Sequence, residues 1–376
     1  MKILQLASGD LWAGAEVQLY HMVCSLQKQS NVELLIVLLN HGQLEQELLK
    51  QGLNVEILDE NHISFFNISR KLLRLVKTYQ PNVIHTHRIK ENIIGGIVAK
   101  LYGCKSVRTT HGAMESTGNF FKIKNVLLPF IDKLVGRFLQ QYVIAVSEEL
   151  KTKLLADFSP SKIKVINNSV SIPFIENQAR EAVDFIAGND QINVCFIGRF
   201  VSVKRVDLFY EIAKKVVLSE NDLNVHFYMI GDGPLWNLIE EKVRDDGLEA
   251  NIHLIGFVKN TAPYLKNMHL LLFTSEHEGL PMTLLEAMAL GVSVVYRDTL
   301  TTIRQVLCDG KCGCINSFDN SQSAYNSLLE VLSNSSDRSK KAELAKQQVL
   351  DAFSIEKNIH EYIRLYQNVL QRHSLK

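Results

Sequence analysis

The chain has 376 residues, of which 46% are hydrophobic and 22% charged, with a formal net charge of +1. This length exceeds one ordinary core and suits two domains, and the composition excludes a disordered or fibrous chain. Residues 1–180 carry 21 Lys/Arg against 15 Asp/Glu, the remainder 20 against 25, and the window 62–137 alone 13 against 3. A basic first half and an acidic second half predict different partners for each.

The chain begins on a strand, Lys2–Ala7, that runs straight into a loop. A basic n-region with a long apolar h-region is missing there, so no secretory signal is expected, and no run approaches the ~20 apolar residues of a membrane span. The six cysteines are read as reduced cytosolic thiols. Cys308, Cys312 and Cys314 cluster, but zinc wants a fourth ligand at compatible spacing and none stands nearby, so no metal is expected.

Short apolar runs then alternate with amphipathic stretches. Strands are predicted at Glu33–Leu39, Asn54–Leu58, Val83–His85, Ser106–Thr109, Tyr142–Val146 and Lys164–Ile166, with helices at Ala15–Lys28, Leu44–Gln51, Ser69–Tyr79, Asn92–Leu101 and Glu148–Ala156. Asn167–Gln191 is polar, carries Pro173 and reads as a hinge. A second series follows, with strands at Ile192–Ile197, Asn224–Ile230, Ile252–Leu254, His269–Phe273 and Val292–Tyr296. Its helices are Val206–Leu218, Leu235–Asp245, Pro281–Leu290 and Ser321–Leu332. The expected architecture is two doubly wound α/β domains, residues 1–170 and 191–354, joined by a hinge at 171–190, with the helix 355–376 packing back on the first.

Open parallel sheets bind ligands beyond the carboxyl ends of their strands. Five loops stand there. Ala13-Gly14-Ala15-Glu16 offers glycine and a helix N-terminus to an anion, or is a plain turn. Thr110-His111-Gly112 places a histidine at a strand end, either as a polar contact for a ligand or as a satisfied structural histidine, and His85 and His87 read as structural. Gly198-Arg199-Phe200 with Lys204 supplies two cations, suited to a diphosphate whose charge grows as a bond breaks. Gly231-Asp232-Gly233-Pro234 could lie against a nucleoside or phosphate, or be good turn chemistry alone. Most weight falls on Glu278-Gly279-Leu280-Pro281-Met282-Thr283-Leu284-Leu285-Glu286, with Pro281 at the first helical position and Glu286 set among apolar residues that demand a partner for it.

In this order the loops resemble the family-four retaining glycosyltransferases of the GT-B fold, two Rossmann-like domains facing across a cleft. Glu278 and Glu286, with seven residues between them, resemble that family's paired acids, and Gly198-Arg199 with Lys204, Gly231-Asp232-Gly233-Pro234, Ile255-Gly256-Phe257-Val258 and Val143–Glu148 are similar to its other motifs. The resemblance implies that Arg199 and Lys204 bind the donor diphosphate and that Glu286 holds the ribose. The backbone of Phe257 and Val258 would meet the base, and Gly231 would line the donor site. Glu278, with the amides of Gly279, Leu280 and Met282, would hold the sugar and adjacent phosphate. Gly14 would approach the diphosphate from the first domain on cleft closure, and His111 would touch the sugar near its reacting carbon. Catalytic roles thus fall on His111, Glu278, Arg199 and Lys204.

Three places depart from the family pattern. Arg205 stands where glycine often follows the lysine, Asn168-Ser169-Val170-Ser171 replaces Asn-Gly-Val-Asp, and Tyr296–Arg304 lacks the Gly-Gly-x-Pro-Glu loop.

The implied reaction is transfer of a hexosyl or N-acetylhexosaminyl group, with retention, from a nucleotide-diphosphate sugar (a UDP-sugar favoured) to a polysaccharide, lipopolysaccharide or lipid-linked glycan. The nucleotide-sugar is a substrate, no cofactor is expected, and the absence of an Asp-x-Asp motif near these loops points to metal independence. A nucleotide-sugar epimerase of the same architecture and a non-catalytic nucleotide-sugar-binding module are the competing readings; a phosphorylase would need a pyridoxal lysine and a longer chain. Nucleic acid is not an expected partner. Residues 119–141 mix aromatic, aliphatic and basic side chains, which suits either an anionic membrane surface or a helix packed on its own domain. The expected location is cytoplasmic, peripheral on the inner face of the cytoplasmic membrane if that surface binds lipid.

Overall fold

The computed structural model describes residues 1–10, 12–112, 122–183, 191–219, 223–276, 278–298, 301–316 and 320–371. It forms two compact units, Met1–Ser169 with Ile355–Lys376, and Val170–Ser354.

The first unit is built on seven parallel strands: β1 (Lys2–Ala7), β2 (Glu33–Leu38), β3 (Val55–Ile57), β4 (Val83–Thr86), β5 (Lys105–Thr110), β6 (Tyr142–Ala145) and β7 (Ile163–Val165), in the order β3-β2-β1-β4-β5-β6-β7. A parallel sheet is covered on both faces, so its strands are near-continuous apolar runs. Ile3, Leu4, Leu6, Ile36, Val37 and Ile84 are all fully buried accordingly. Polar residues interrupt these runs: Gln5 is buried within β1, His85 and Thr86 within β4, and Ser106, Arg108 and Thr109 within β5. The helix Ile355–Gln371 packs beside the helix Gly14–Gln27 and buries Ile359, Tyr362, Tyr366 and Val369.

The second unit carries β8 (Ile192–Ile197), β9 (Val225–Ile230), β10 (Ile252–Gly256), β11 (Leu270–Phe273), β12 (Ser293–Arg297) and β13 (Cys314–Asn316), all parallel, in the order β10-β9-β8-β11-β12-β13. Its core joins Phe196, Phe200, Phe209, Phe227 and Met229 with Leu270, Leu272 and Val295.

The hinge reading of 171–190 needs correction over its first part. Ile172–Gln178 is a helix with Pro173 in its first turn, and it buries Ile172 and Ile175. It packs on the helices Ala262–Lys266 and Met282–Ala289, while Val170 bridges Ser354. This stretch is therefore part of the second unit's fabric, and residues 184–190 lie outside the described ones. The strand β13 and the helix Ser335–Gln348 were not expected. One is three residues long, and the other buries only Ala342 and Ala345, too few apolar side chains for a readable period.

Glycine at 231 is a backbone necessity. It sits at φ +134°, and a Cβ there would lie 2.0 Å from the carbonyl oxygen of Gly198. Gly231→Ala is expected to cost well above the roughly 1–2 kcal/mol of left-handed strain alone. Gly247→Ala, at φ +66° in open space, should cost only that strain. Urea unfolding of both variants checks the order.

Candidate active site

In each sheet the chain order reverses between two neighbouring strands, β1/β4 and β8/β11. Such reversal points splay the flanking loops and leave a crevice at the strands' carboxyl ends. In the second unit the loops after β8 and β11 therefore supply the site, and they are the loops that carry Arg199, Lys204 and Glu278.

Main-chain hydrogen bonds lace these loops to their neighbours. Gly198 N–H donates to Ile230 at 3.0 Å, Phe200 N–H to Asp232 at 2.9 Å, Leu235 N–H to Phe200 at 3.0 Å and Gly231 N–H to Gly256 at 2.9 Å. The glycines of Gly231-Asp232-Gly233-Pro234 thus permit loop-on-loop contact, as at Gly233, where a Cβ would meet the Phe200 backbone at 2.7 Å.

Across the reversal point Lys204 Nζ lies 2.5 Å from Glu278 Oε1, with the two side chains 21% and 9% exposed. Ser275 Oγ donates to the same oxygen at 2.7 Å, so both contacts fall on Oε1. Thr274 Oγ1 donates to the Lys204 carbonyl at 3.0 Å, and Glu276 N–H to that of Val203 at 2.9 Å. Arg199 is exposed on the same loop as Lys204. Arg205 adopts the left-handed conformation, φ +51° and ψ +48°, which explains why glycine suits this position in the resembled pattern. Its guanidinium pairs with Asp207 and Glu276, each at 3.0 Å.

The helix after β11 runs Met282–Ala289, so Pro281 is its N-cap (φ −66°, ψ 133°) rather than its first residue. Pro281 supplies no side-chain cap, and first-turn amides of a helix can meet an anion. Gly279, Leu280 and Met282 stand at this tip, with Leu280 and Met282 buried. Glu286, one turn further, is partly buried and accepts a hydrogen bond from Thr261 Oγ1 at 3.2 Å. Burial pushes its carboxyl from 4.5 up to about 7, against the Thr261 bond, which lowers it. Phe257, directly after β10, is 63% exposed, and Val258 beside it is partly buried.

In the first unit the helix Gly14–Gln27 starts with Gly14 exposed. Glu16 Oε2 accepts from Ala13 N–H at 3.2 Å, and its carboxylate pairs with Arg88, which also meets Asp10 at 3.2 Å. His111 stacks on His87, and His87 lies tilted against His85, with centroid separations of 5.5 and 4.4 Å. His85 is satisfied by Tyr366 OH at 2.7 Å and Thr109 Oγ1 at 2.8 Å, the structural role expected of it. His87 instead binds Gln5 Oε1 at 2.9 Å and His111 Nε2 at 3.2 Å. Burial, helped by Arg88, holds His111 down at about 4, so it is neutral at physiological pH. Gln5 and Tyr366 were missed by sequence reasoning, although a glutamine inside the apolar run of β1 was a signal.

Among the described residues no three His, Cys, Asp or Glu side chains converge on a common metal position. No described helix is long and apolar enough to cross a membrane.

The folded chain holds the Glu286 proton to higher pH than the unfolded chain does. Stability from this group is therefore fully present below about pH 4.5, falls as pH rises to about 7, and is flat above. Glu286→Gln is expected to melt higher than the parent at pH 8 and to show little difference at pH 4.5. Parallel melting-temperature profiles for the two proteins would contradict the burial argument.

Residues 12–172 match the model of Glycosyltransferase Family 4, and residues 191–334 that of Glycosyl transferases group 1. The chain is 25% identical over 71% of its length to the poly(ribitol-phosphate) alpha-N-acetylglucosaminyltransferase of Staphylococcus aureus, and spans about half (51%) of that protein. It is 29% identical to the UDP-Gal:alpha-D-GlcNAc-diphosphoundecaprenol alpha-1,3-galactosyltransferase of Escherichia coli, over 75% of this chain and 78% of that one. The crystal structure of Anabaena HepE in complex with UDP shares the fold, with TM-score 0.80 at 17% identity over 98% of this chain and 100% of that one. With each half matched by a glycosyltransferase model and the whole fold shared with that structure, the chain belongs to the family-four glycosyltransferases of the GT-B fold.

Proposed function

We propose that this chain transfers a hexosyl or N-acetylhexosaminyl group from a UDP-sugar, with retention, to a polysaccharide, lipopolysaccharide or lipid-linked glycan. The observation that carries the reading is the Lys204–Glu278 contact beside the uncapped tip of the helix Met282–Ala289. Two similar proteins are named for α-linked transfer, one of them from UDP-Gal to a diphosphoundecaprenol-linked glycan. A UDP-hexose carries its sugar in α linkage, so an α product means retention.

On this reading the bond from the anomeric carbon to the diphosphate breaks while the acceptor hydroxyl attacks the same face. A diphosphate oxygen takes the acceptor's proton. Charge gathers on the leaving diphosphate, where Lys204, Arg199 and the amides of Leu280 and Met282 stabilise it. Glu278 holds sugar hydroxyls through the oxygen that Lys204 and Ser275 do not occupy. Glu286 takes the ribose hydroxyls, Gly231 borders the donor, and the backbone of Phe257 and Val258 meets the base. Gly14 gives the diphosphate a close backbone approach, and His111 contacts the transferred sugar. These cations and amides do the work of a metal, and no cofactor takes part.

The acceptor side is proposed to meet an anionic membrane surface. Leu127, Phe130, Leu134 and Phe138 form one exposed stripe on the helix Lys122–Phe138, with Lys133 and Arg137 alongside. Lys133 pairs with Asp157 at 2.8 Å, and Arg137 Nε donates to the Asp157 carbonyl at 2.7 Å. The opposite face is packed: buried Arg108 pairs with Asp132 at 2.8 Å, and Gly136 meets Phe158. The helix thus combines both sequence readings, one face docked and one apolar and wet. Residues 113–121, part of the basic window, lie outside the described ones. Such a surface fits action on the inner face of the cytoplasmic membrane.

Lys204→Ala is expected to slow transfer ~100-fold with the fold retained, and Glu286→Ala to weaken it comparably. UDP release measured with and without acceptor tests this and separates transfer from epimerisation, which needs no acceptor. Near-normal turnover in both variants would refute the donor-site assignment. Flotation with liposomes should recover the parent protein on anionic lipid and much less of a Phe130→Ser/Phe138→Ser variant. Equal recovery of the two proteins removes the membrane reading.

A further inference from the structure

A polarised chain of buried hydrogen bonds ends at His111. Gln5 Nε2 donates to Tyr366 OH at 3.3 Å, which leaves its carbonyl Oε1 facing His87 Nε2 at 2.9 Å. A carbonyl oxygen only accepts, so His87 Nε2 carries the proton. A neutral imidazole has one N–H, so His87 Nδ1 is a lone pair. The atom 3.2 Å from it, His111 Nε2, must then be the donor. The single N–H of neutral His111 is thereby committed, and its Nδ1 is also a lone pair. That atom is buried and has no hydrogen-bond partner among the described residues. On the other side, the Tyr366 proton goes to His85 Nδ1 at 2.7 Å, and His85 Nε2–H to Thr109 Oγ1 at 2.8 Å, so every other group in the chain is satisfied.

We propose that Gln5 and His87 act as positioning residues that hold His111 as its Nε2–H tautomer, so that Nδ1 accepts a hydrogen bond from a hydroxyl of the transferred sugar. The inference rests on the reading that His111 contacts that sugar. A buried, unpaired acceptor is an energetic defect until a donor arrives. Burial first, and then neighbouring groups that include the Arg88 guanidinium, lower the basicity of both His87 and His111, which disfavours a cation as the occupant. A neutral hydroxyl fits, and because protonation of the ring is disfavoured, Nδ1 takes the hydrogen bond without taking the proton. The other tautomer would turn an N–H toward that hydroxyl, leaving the sugar to accept where it is otherwise free to donate.

The test uses the full-length protein with ¹⁵N-labelled histidine. Nitrogen–proton correlation spectra should show His111 protonated at Nε2 and bare at Nδ1. His87→Phe keeps the ring stack but removes both nitrogens; it should give mixed His111 tautomers and about a tenfold lower kcat, the worth of one such hydrogen bond. His87→Asn places Oδ1 near the former Nδ1 and should recover both the tautomer and most of the turnover. Gln5→Leu should repeat the His87→Phe result from one step further along, which covers a failure of that variant to fold. A wild-type His111 protonated at Nδ1, or unchanged turnover in His87→Phe and Gln5→Leu while His111→Ala is impaired, overturns the proposal. Full turnover in His111→Ala sinks the sugar-contact reading itself, and the tautomer spectrum reports on the positioning separately.

Discussion

A lysine held against a carboxylate joins the two loops that leave β8 and β11, the neighbouring strands where the second sheet reverses its order. The rest of the candidate site in the second unit is arranged around that contact. Lys204 hangs from a loop whose backbone is bonded to the loop after β9, and that loop is bonded in turn to the end of β10. Glu278 sits three residues before the N-cap Pro281 and is braced by Ser275. The backbones that carry the two side chains are thus fixed by main-chain bonds. Preorganisation of this kind lets a cation stabilise a leaving group without first paying to order itself.

The sheet architecture was legible because parallel strands are apolar along their whole length. Lys2–Ala7, Ile192–Ile197 and the helix Val206–Leu218 have the expected boundaries. Elements failed to show where burial is slight, as in Ser335–Gln348, or where helix and hinge share polar composition, as in Ile172–Gln178. The loops that carry Lys204 and Glu278, and the helix that carries Glu286, could be found because strand-end glycines and a proline before a helix mark them. Their mutual contacts could not, since a 74-residue separation between Lys204 and Glu278 has no local trace. Arg205 is the instructive departure. Its left-handed backbone shows what a glycine would do at that position, and its two carboxylate partners show how arginine is accommodated there instead.

The first unit buries polarity in two ways, as ion pairs such as Arg108–Asp132 and as uncharged groups. There Gln5, His85, His87 and Tyr366 form a neutral network inside the sheet, where desolvation keeps the imidazoles uncharged. Neutral groups can be buried at low cost when every donor finds an acceptor, and they impose direction on the hydrogen bonds they share. In the second unit, Lys204 and Glu278 are charged groups that stay near the surface, where they can exchange partners with an arriving ligand.

Charge explains why that exchange is plausible in an acidic half-chain. Residues 181–376 hold 20 Lys/Arg against 25 Asp/Glu, an unpromising balance for a diphosphate. Exposed charges more than about 10 Å away are largely screened at ordinary ionic strength, so the local set decides. That set is Lys204, Arg199 and the amide tip of the helix Met282–Ala289, opposed by Glu278. With Lys204 offset by Glu278, Arg199 and the helix tip keep this local set positive. On the proposed reading, a dianion entering beside the pair would give Lys204 a second and more highly charged acceptor, and the attraction would grow further as the glycosidic bond breaks. An interaction that strengthens along the reaction in this way lowers the barrier more than it deepens binding of the intact donor.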